Sequence, residues 1–184
     1  MYLVTQKTKT ILAIVFFPIT IAVFVVSIVK GKKEEREIHE FLENIQLSDI
    51  DAINGYQFEE IIDYLFRYYG YKTSITKKSG DYGVDVFASR KQENYCIQAK
   101  LYYNHSVGAS AIQQINTAKN YYGCDYSVVI TNSRYSKQAV DMARKLNVIL
   151  LDRDDLGAML QQYKDCNKKF LINLLEEKKC LKRS

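Results

Sequence analysis

Between Asn54 and Tyr163 the spacing of apolar residues changes period repeatedly, and turn residues mark the changes. Phe58, Ile61, Ile62, Leu65, Phe66 and Tyr69 recur at helical spacing behind Asn54, which reads as an N-cap, and Gly70 closes that helix. Alternating or β-branched runs follow at Tyr71 to Thr76, Val84 to Ala88 and Asn94 to Leu101. A helix is expected over Gly108 to Tyr122, a buried strand over Tyr126 to Thr131 and a Ser136-capped helix to Leu146. A last strand over Val148 to Leu151 and a helix over Asp154 to Tyr163 complete the pattern. Three strands joined by short links pair as antiparallel neighbours, whereas strand-helix-strand units demand parallel pairing. The order predicts an α/β fold with a central mixed β-sheet flanked by helices.

The chain has 184 residues and a net charge of +5. Residues 37–53 carry five acids and no Lys or Arg, while 54–163 carry thirteen bases and eleven acids. A nucleic-acid surface on the α/β domain must therefore come from local clustering of charge. Cys96, Cys124, Cys166 and Cys180 form no Cys-x-x-Cys pair, which argues against a zinc ribbon and a disulfide scaffold. Cys96 reads as a small buried hydrophobe, and a reduced cytosolic setting is expected.

Thr10 to Val29 is a stretch of twenty residues without a charge. At about 1.5 Å per residue such a helix spans about 30 Å, the hydrocarbon thickness of a bilayer. A signal peptide and a buried core helix are the rival readings, but no small-x-small cleavage site follows and no polar face interrupts the run. The expectation is a single-pass transmembrane helix over 10–29, with Lys30, Lys32, Lys33 and Arg36 holding the following domain on the cytoplasmic side. The chain then divides into an anchor over 1–30, an acidic helical linker over 31–53, the α/β domain over 54–163 and a basic tail over 164–184.

Two polar clusters interrupt the apolar strands. Gly80-Asp81-Tyr82-Gly83-Val84-Asp85 opens the second strand, and Gln98-Ala99-Lys100 ends the third. Residues two apart on a strand share a face, so Gln98 and Lys100 point together. If the two strands pair as a hairpin, Asp85 sits beside them. Asp85 then offers a hard oxygen to Mg²⁺, Gln98 a neutral carbonyl oxygen and Ala99 its backbone carbonyl. Lys100 is placed to orient an attacking water and offset charge growing on phosphorus. Glu59, on the first helix beside Phe58 and Ile62, is the remaining candidate for the metal. Gln in place of an acid makes the site less anionic and weakens Mg²⁺ affinity.

These clusters, with Gly55-Tyr56-Gln57-Phe58-Glu59, Gly70-Tyr71, Val107-Gly108, Thr131-Asn132-Ser133 and Leu151-Asp152-Arg153, resemble the catalytic domain of Mrr-type restriction endonucleases. That is a branch of the PD-(D/E)xK nucleases in which Gln-x-Lys replaces the acid-x-Lys pair. The resemblance runs from about Ile53 to Leu156. It implies a restriction-endonuclease-like core and a Mg²⁺-dependent endonuclease, with Mn²⁺ able to substitute, acting on double-stranded DNA that is foreign or modified. By motif it implies Asp85, Gln98 and Lys100 as the catalytic core and Glu59 as the helical acid; a homodimer for double-strand cleavage stays an open reading. Two departures stand out: Leu101 follows the lysine where a basic residue is common, and no winged-helix DNA-reading domain is visible. A membrane-anchored endonuclease is the leading expectation. A DNA-binding domain without catalysis and a membrane scaffold are the alternatives.

Other residues keep two readings. Asp81 serves either the metal or the turn. Lys77, Lys78, Lys119, Arg134 and Lys137 contact phosphates or are ordinary solvated charges. Gln113 and Gln114 face the substrate or the solvent. The tyrosines, for example Tyr64, Tyr68, Tyr121 and Tyr122, sit at helix-face edges and read as core-rim packing rather than as base-stacking groups.

Overall fold

A computed structural model describes residues 26–76 and 82–180. The chain forms two units, Met1–Phe41 and Leu42–Ser184. The described part of the first is helical, and helix α1 covers residues 26–44. Its surface carries the i,i+4 pairs Lys30–Glu34, Lys33–Glu37 and Arg36–Glu40 at 3.6 to 3.8 Å, all exposed. Pairs of this kind contribute about 0.3–0.5 kcal/mol each.

The expected membrane placement is corrected here. Among the described residues no helix is long and apolar enough to cross a membrane. The physical reason is the charge on α1, which from Lys30 onward alternates Lys, Arg and Glu around the helix. Residues 10–25 of the expected span, and the expected turn residues Lys77, Lys78 and Asp81, lie outside the described residues.

The second unit is built on a five-stranded sheet in the order β1 (Lys72–Ile75), β2 (Val86–Arg90), β3 (Glu93–Lys100), β4 (Tyr126–Thr131), β5 (Val148–Leu151). The first three strands are antiparallel, and β4 and β5 run parallel to β3. The mixed sheet expected from the element order is therefore present. Helix α2 (Gly55–Tyr68) packs on β1 to β3, and α3 (Ala109–Tyr122) on β3 to β5. Helix α4 (Lys137–Leu146) joins α3 and β5, while α5 (Arg153–Lys164) covers β4 and β5.

Local sequence explains the helix ends. Asn54 accepts from the Gln57 N–H and Gln57 Oε1 accepts from the Asn54 N–H, both at 3.0 Å, a reciprocal capping box. At the other end Gly70 has φ +89°, and the Tyr71 N–H donates to the Phe66 carbonyl at 3.0 Å, closing a Schellman turn. Asp152 and Asp155 repeat the capping box at α5.

The sheet keeps its two faces distinct. Tyr95 meets Tyr71, which meets Phe66 of α2, with ring centroids 5.5 and 5.3 Å apart. Tyr95, Ile97 and Ala99 therefore face α2. On the other face Cys96, Val129 and Val148 pack with Ile112, Ile115 and Ala118 of α3 and with Ala139 and Ala143 of α4. On that face Cys96 is joined to Cys124 by a disulfide across 28 residues. This differs from the reading of Cys96 as a simple hydrophobe. Gly123, in a left-handed conformation after α3, turns Cys124 back onto β3.

Burial extends beyond the periodic segment. Leu42, Ile45 and Ile50 are buried before α2, and α6 (Phe170–Cys180) docks on α5 and β5 through Leu171 and Leu175. Each fully buried leucine contributes about 1.5–3 kcal/mol, enough to hold the tail against the domain. Lys179 of α6 is also buried, and its ammonium donates to Glu93, Glu176 and the Tyr95 hydroxyl, each at 2.9 Å.

Burial alone would raise the Glu93 carboxyl. Hydrogen bonds from Tyr95 and Lys179, with the Lys179 charge, outweigh it and hold the group below its ordinary 4.5. Burial would likewise lower the Lys179 ammonium, but Glu93 and Glu176 raise it above 10.5. The Glu93 contribution is present above pH 4.5 and is lost as pH falls through the depressed folded value. The Lys179 contribution is present below pH 10.5 and is lost as pH rises through the raised one. In urea titrations Glu93→Gln is expected to be less stable than the parent at neutral pH, with the gap closing as pH drops below 4.5. A gap that stays constant with pH rules out this linkage.

Candidate active site

Asp85 sits one residue before β2, and its N–H still donates to the Ile97 carbonyl at 2.9 Å. Val86 already pairs with Ile97, so Asp85 and Val86 share one partner and the ladder is bulged where Asp85 enters it. Strand parity puts Gln98 and Lys100 on the sheet face that α3 covers, whereas alternation is broken before β2, where Val84 packs on the α3 side. Asp85 Oδ2 accepts from the Ala99 N–H at 2.8 Å, so the carboxylate is fixed to the backbone between Gln98 and Lys100.

Gln98 is fully buried. Its Nε2 donates to Gln114 Oε1 of α3 at 2.8 Å. Its Oε1 is buried and accepts no hydrogen bond among the described residues. A buried polar atom left without a partner costs about 1–3 kcal/mol. The unused oxygen, held beside a carboxylate, is the donor type that a hard divalent cation takes. The residues present therefore fit a metal. No group of three His, Cys, Asp or Glu side chains forms a metal cluster among the described residues.

Gly83 closes the site from the β2 side. Its φ is +82°, and a Cβ built there would overlap both the Gln114 and Gln98 side chains. Glu59 is half-buried in the second turn of α2, directly after the buried Phe58. It approaches from the α2 layer, whereas Gln98 faces α3. Asp85, Gln98, Ala99 and Lys100 are thus brought together on two adjacent strands, and Glu59 stands on the helix packed behind them.

The strand end carrying Lys100 is fixed from outside. The Lys100 carbonyl accepts from Thr131 Oγ1 at 2.6 Å. Two residues on, Asn132 accepts from the Tyr102 N–H at 2.8 Å and donates to the Tyr102 carbonyl at 3.0 Å. Asn132 also donates to Asp51 at 2.8 Å, and Arg153 grips both carboxylate oxygens of Asp51 at 2.7 and 2.8 Å. The Arg153 hydrogen bond holds the Asp51 carboxyl below its ordinary range against the opposing effect of burial. These residues line a cavity of about 330 Å³ with Tyr103, Ser133 and Arg134. Arg134 is paired with Asp152 and Asp154. Sequence reasoning placed Thr131-Asn132-Ser133 at a strand end but missed Asp51 and Arg153, whose partnership spans 102 residues. It also left Gln114 undecided; the structure turns it onto Gln98.

A sequence-family profile for a restriction endonuclease, the Mrr catalytic domain, matches residues 50–160. No curated protein is significantly similar to the chain. Among solved structures, the DNA modification-dependent restriction endonuclease AspBHI is similar with a TM-score of 0.51 at 17% identity, covering 80% of this chain and 40% of that one. The MspJI restriction endonuclease in complex with a 27-mer oligonucleotide has a TM-score of 0.51 at 19% identity, covering 74% of this chain and 35% of the other. At such identities the likeness is one of fold. The chain spans well under half the length of either protein.

Gly83→Ala tests how tightly the site is packed. It combines a left-handed backbone, worth about 1–2 kcal/mol, with overpacking, worth about 1–3 kcal/mol. Gly70→Ala shares the positive φ but meets no heavy atom within 4 Å. Chemical denaturation is expected to show Gly83→Ala as the more destabilised of the two. Equal losses mean that Gln98 and Gln114 do not press against Gly83.

Proposed function

Because the chain belongs to the Mrr-type restriction endonuclease family across residues 50–160, we propose that it is a Mg²⁺-dependent DNA endonuclease. The observation that carries this reading is the buried, unpartnered Oε1 of Gln98 on the same sheet face as Lys100, with the Asp85 carboxylate tied to the Ala99 N–H between them. Asp85, Gln98 and the backbone carbonyl of Ala99 are the residues that would hold Mg²⁺, or Mn²⁺ in its place; Glu59, on the α2 side of the sheet, would act through a bound water. The ion supplies Lewis-acid stabilisation of charge on the scissile phosphate.

The chain's own groups do the rest. The Ala99 N–H fixes the Asp85 carboxylate, so one oxygen points in a set direction without a mobile side chain having to be ordered. Gln114 fixes the Gln98 amide by taking its N–H, which leaves the oxygen as the free end. Lys100, beside them at the strand end, orients the attacking water and offsets the growing negative charge with its ammonium. A double-strand break then takes two copies, one for each strand. Double-stranded DNA is the substrate class, and modified or foreign DNA is its proposed source, in keeping with the modification-dependent enzyme that shares the fold.

Lys100→Ala is expected to lower Mg²⁺-dependent nicking of plasmid DNA by about 10²- to 10³-fold or more. Metal-free DNA binding and the circular dichroism spectrum should stay those of the parent. Undiminished nicking overturns the role given to Lys100. Salt-dependent DNA binding by the parent, with no nicking at any Mg²⁺ or Mn²⁺ concentration, supports the reading as a DNA-binding domain without catalysis.

A further inference from the structure

Three tyrosines stand together beside the candidate site and take no part in it. Tyr82 and Tyr121 are 51% and 65% exposed, and their ring centroids lie 4.6 Å apart. Tyr122 packs edge-on against Tyr121 at 4.9 Å and against Phe87 at 5.0 Å. The cluster differs from the rim packing expected of these residues, because two of its rings present more than half their surface to solvent. Tyr82 also holds a left-handed backbone, φ 50°, unusual for a bulky side chain.

Position ties the cluster to the site. Tyr82 precedes Gly83, whose backbone lies against Gln98 and Gln114, and is three residues before Asp85. Gln114 and Tyr121 lie seven residues apart on one face of α3, about 10 Å along its axis. That is about three base steps at 3.4 Å per nucleotide. Beyond Tyr122 a cavity of about 310 Å³ opens on the same sheet face, lined by Phe87, Lys72, Ser74, Ser89 and Asn94. One positive charge, hydroxyls, an amide and aromatic walls match a nucleotide: rings for the base, polar groups for its edges and Lys72 for a phosphate.

We propose that Tyr82, Tyr121 and Tyr122, with the cavity beyond them, form a stacking track for an unpaired stretch of DNA leaving the candidate active site. The track begins about three nucleotides from the scissile phosphate. The inference rests on the nuclease reading and narrows its substrate to duplex DNA with a single-stranded extension or opened segment. Stacking does not depend on base identity, so the track adds affinity for unpaired DNA without reading sequence.

The test is binding by the full chain in metal-free buffer, measured by fluorescence anisotropy. The probes are a fully paired duplex and the same duplex with a single-stranded extension. The extended DNA is expected to bind more tightly. Tyr82→Ala and Tyr121→Ala should each weaken binding to it about fivefold to a hundredfold, leave the paired duplex unchanged, and be rescued by Phe at the same position. Wild-type affinity for the extension in both Ala variants overturns the proposal. So does an equal loss on both DNAs, or a change in self-association that marks the patch as a protein contact. Duplex nicking, assayed separately, distinguishes the failures. If nicking persists while the Ala variants bind normally, only the track is lost. If the parent binds neither DNA, the nuclease reading is lost with it.

Discussion

Asn132 holds four pieces of chain at one point. Its amide takes the Tyr102 N–H, gives one proton to the Tyr102 carbonyl and gives the other to Asp51, whose carboxylate Arg153 grips at the start of α5. Only 2% of Asn132 is exposed, so each of these bonds replaces water that cannot reach it. The parallel ladder between β3 and β4 ends at Lys100 and Thr131. Without further ties the chain after Lys100 would diverge from β4. Thr131 and Asn132 carry the pairing two residues further by side-chain bonds, and Ser133 adds a bond to the His105 carbonyl at 2.7 Å. That extension fixes the course of the chain directly after Lys100.

Gln98 shows how burial and chemistry constrain each other. A carboxylate in a fully buried position pays a desolvation cost of several kcal/mol unless a positive partner or cation offsets it. An amide pays far less and can donate as well as accept. The donated proton goes to Gln114, which a carboxylate could not supply. The Gln98–Gln114 pair therefore stands together as a neutral device. It keeps an oxygen buried and aimed without requiring metal to keep the apo fold stable. The consequence is a site with less negative charge than an acid at position 98 would give.

The sheet was legible in the sequence because strand parity is rigid. With period two, an assignment of faces from Ile97 and Ala99 also places Gln98 and Lys100, but not Asp85, where the bulge before β2 breaks the alternation. Features without a period were not legible. Lys91 and Gln92 both adopt positive φ in the tight β2–β3 turn, where Asn or Gly is the usual signal, so the hairpin's length was hidden. The Cys96–Cys124 bond and the Asp51–Arg153 pair join residues far apart in the chain, and no local pattern announces either. Lys179 falls in what the sequence marks only as a basic tail. Its burial depends on Glu93, on the far side of the sequence. The uncharged N-terminal run was a strong local pattern. The charged helix that follows it gives the membrane assignment no support among the described residues.

The fifteen tyrosines make the same point within one residue type. Tyr69, Tyr103 and Tyr135 spend their hydroxyls on backbone carbonyls of Met159, Ile53 and Val129 at 2.6 to 2.8 Å. Burial raises the phenols of Tyr69 and Tyr135 above their ordinary value. These are structural clamps, each tying its own element to a distant one. Tyr82 and Tyr121 have the same side chain with its ring turned outward, because Gly83 must stay against Gln98 and α3 ends one residue past Tyr121. Composition cannot separate the two groups, since both need an aromatic ring at a helix or turn edge. What separates them is whether a carbonyl waits within reach of the hydroxyl. Among the described residues no carbonyl accepts from Tyr82 or Tyr121, and both stay exposed.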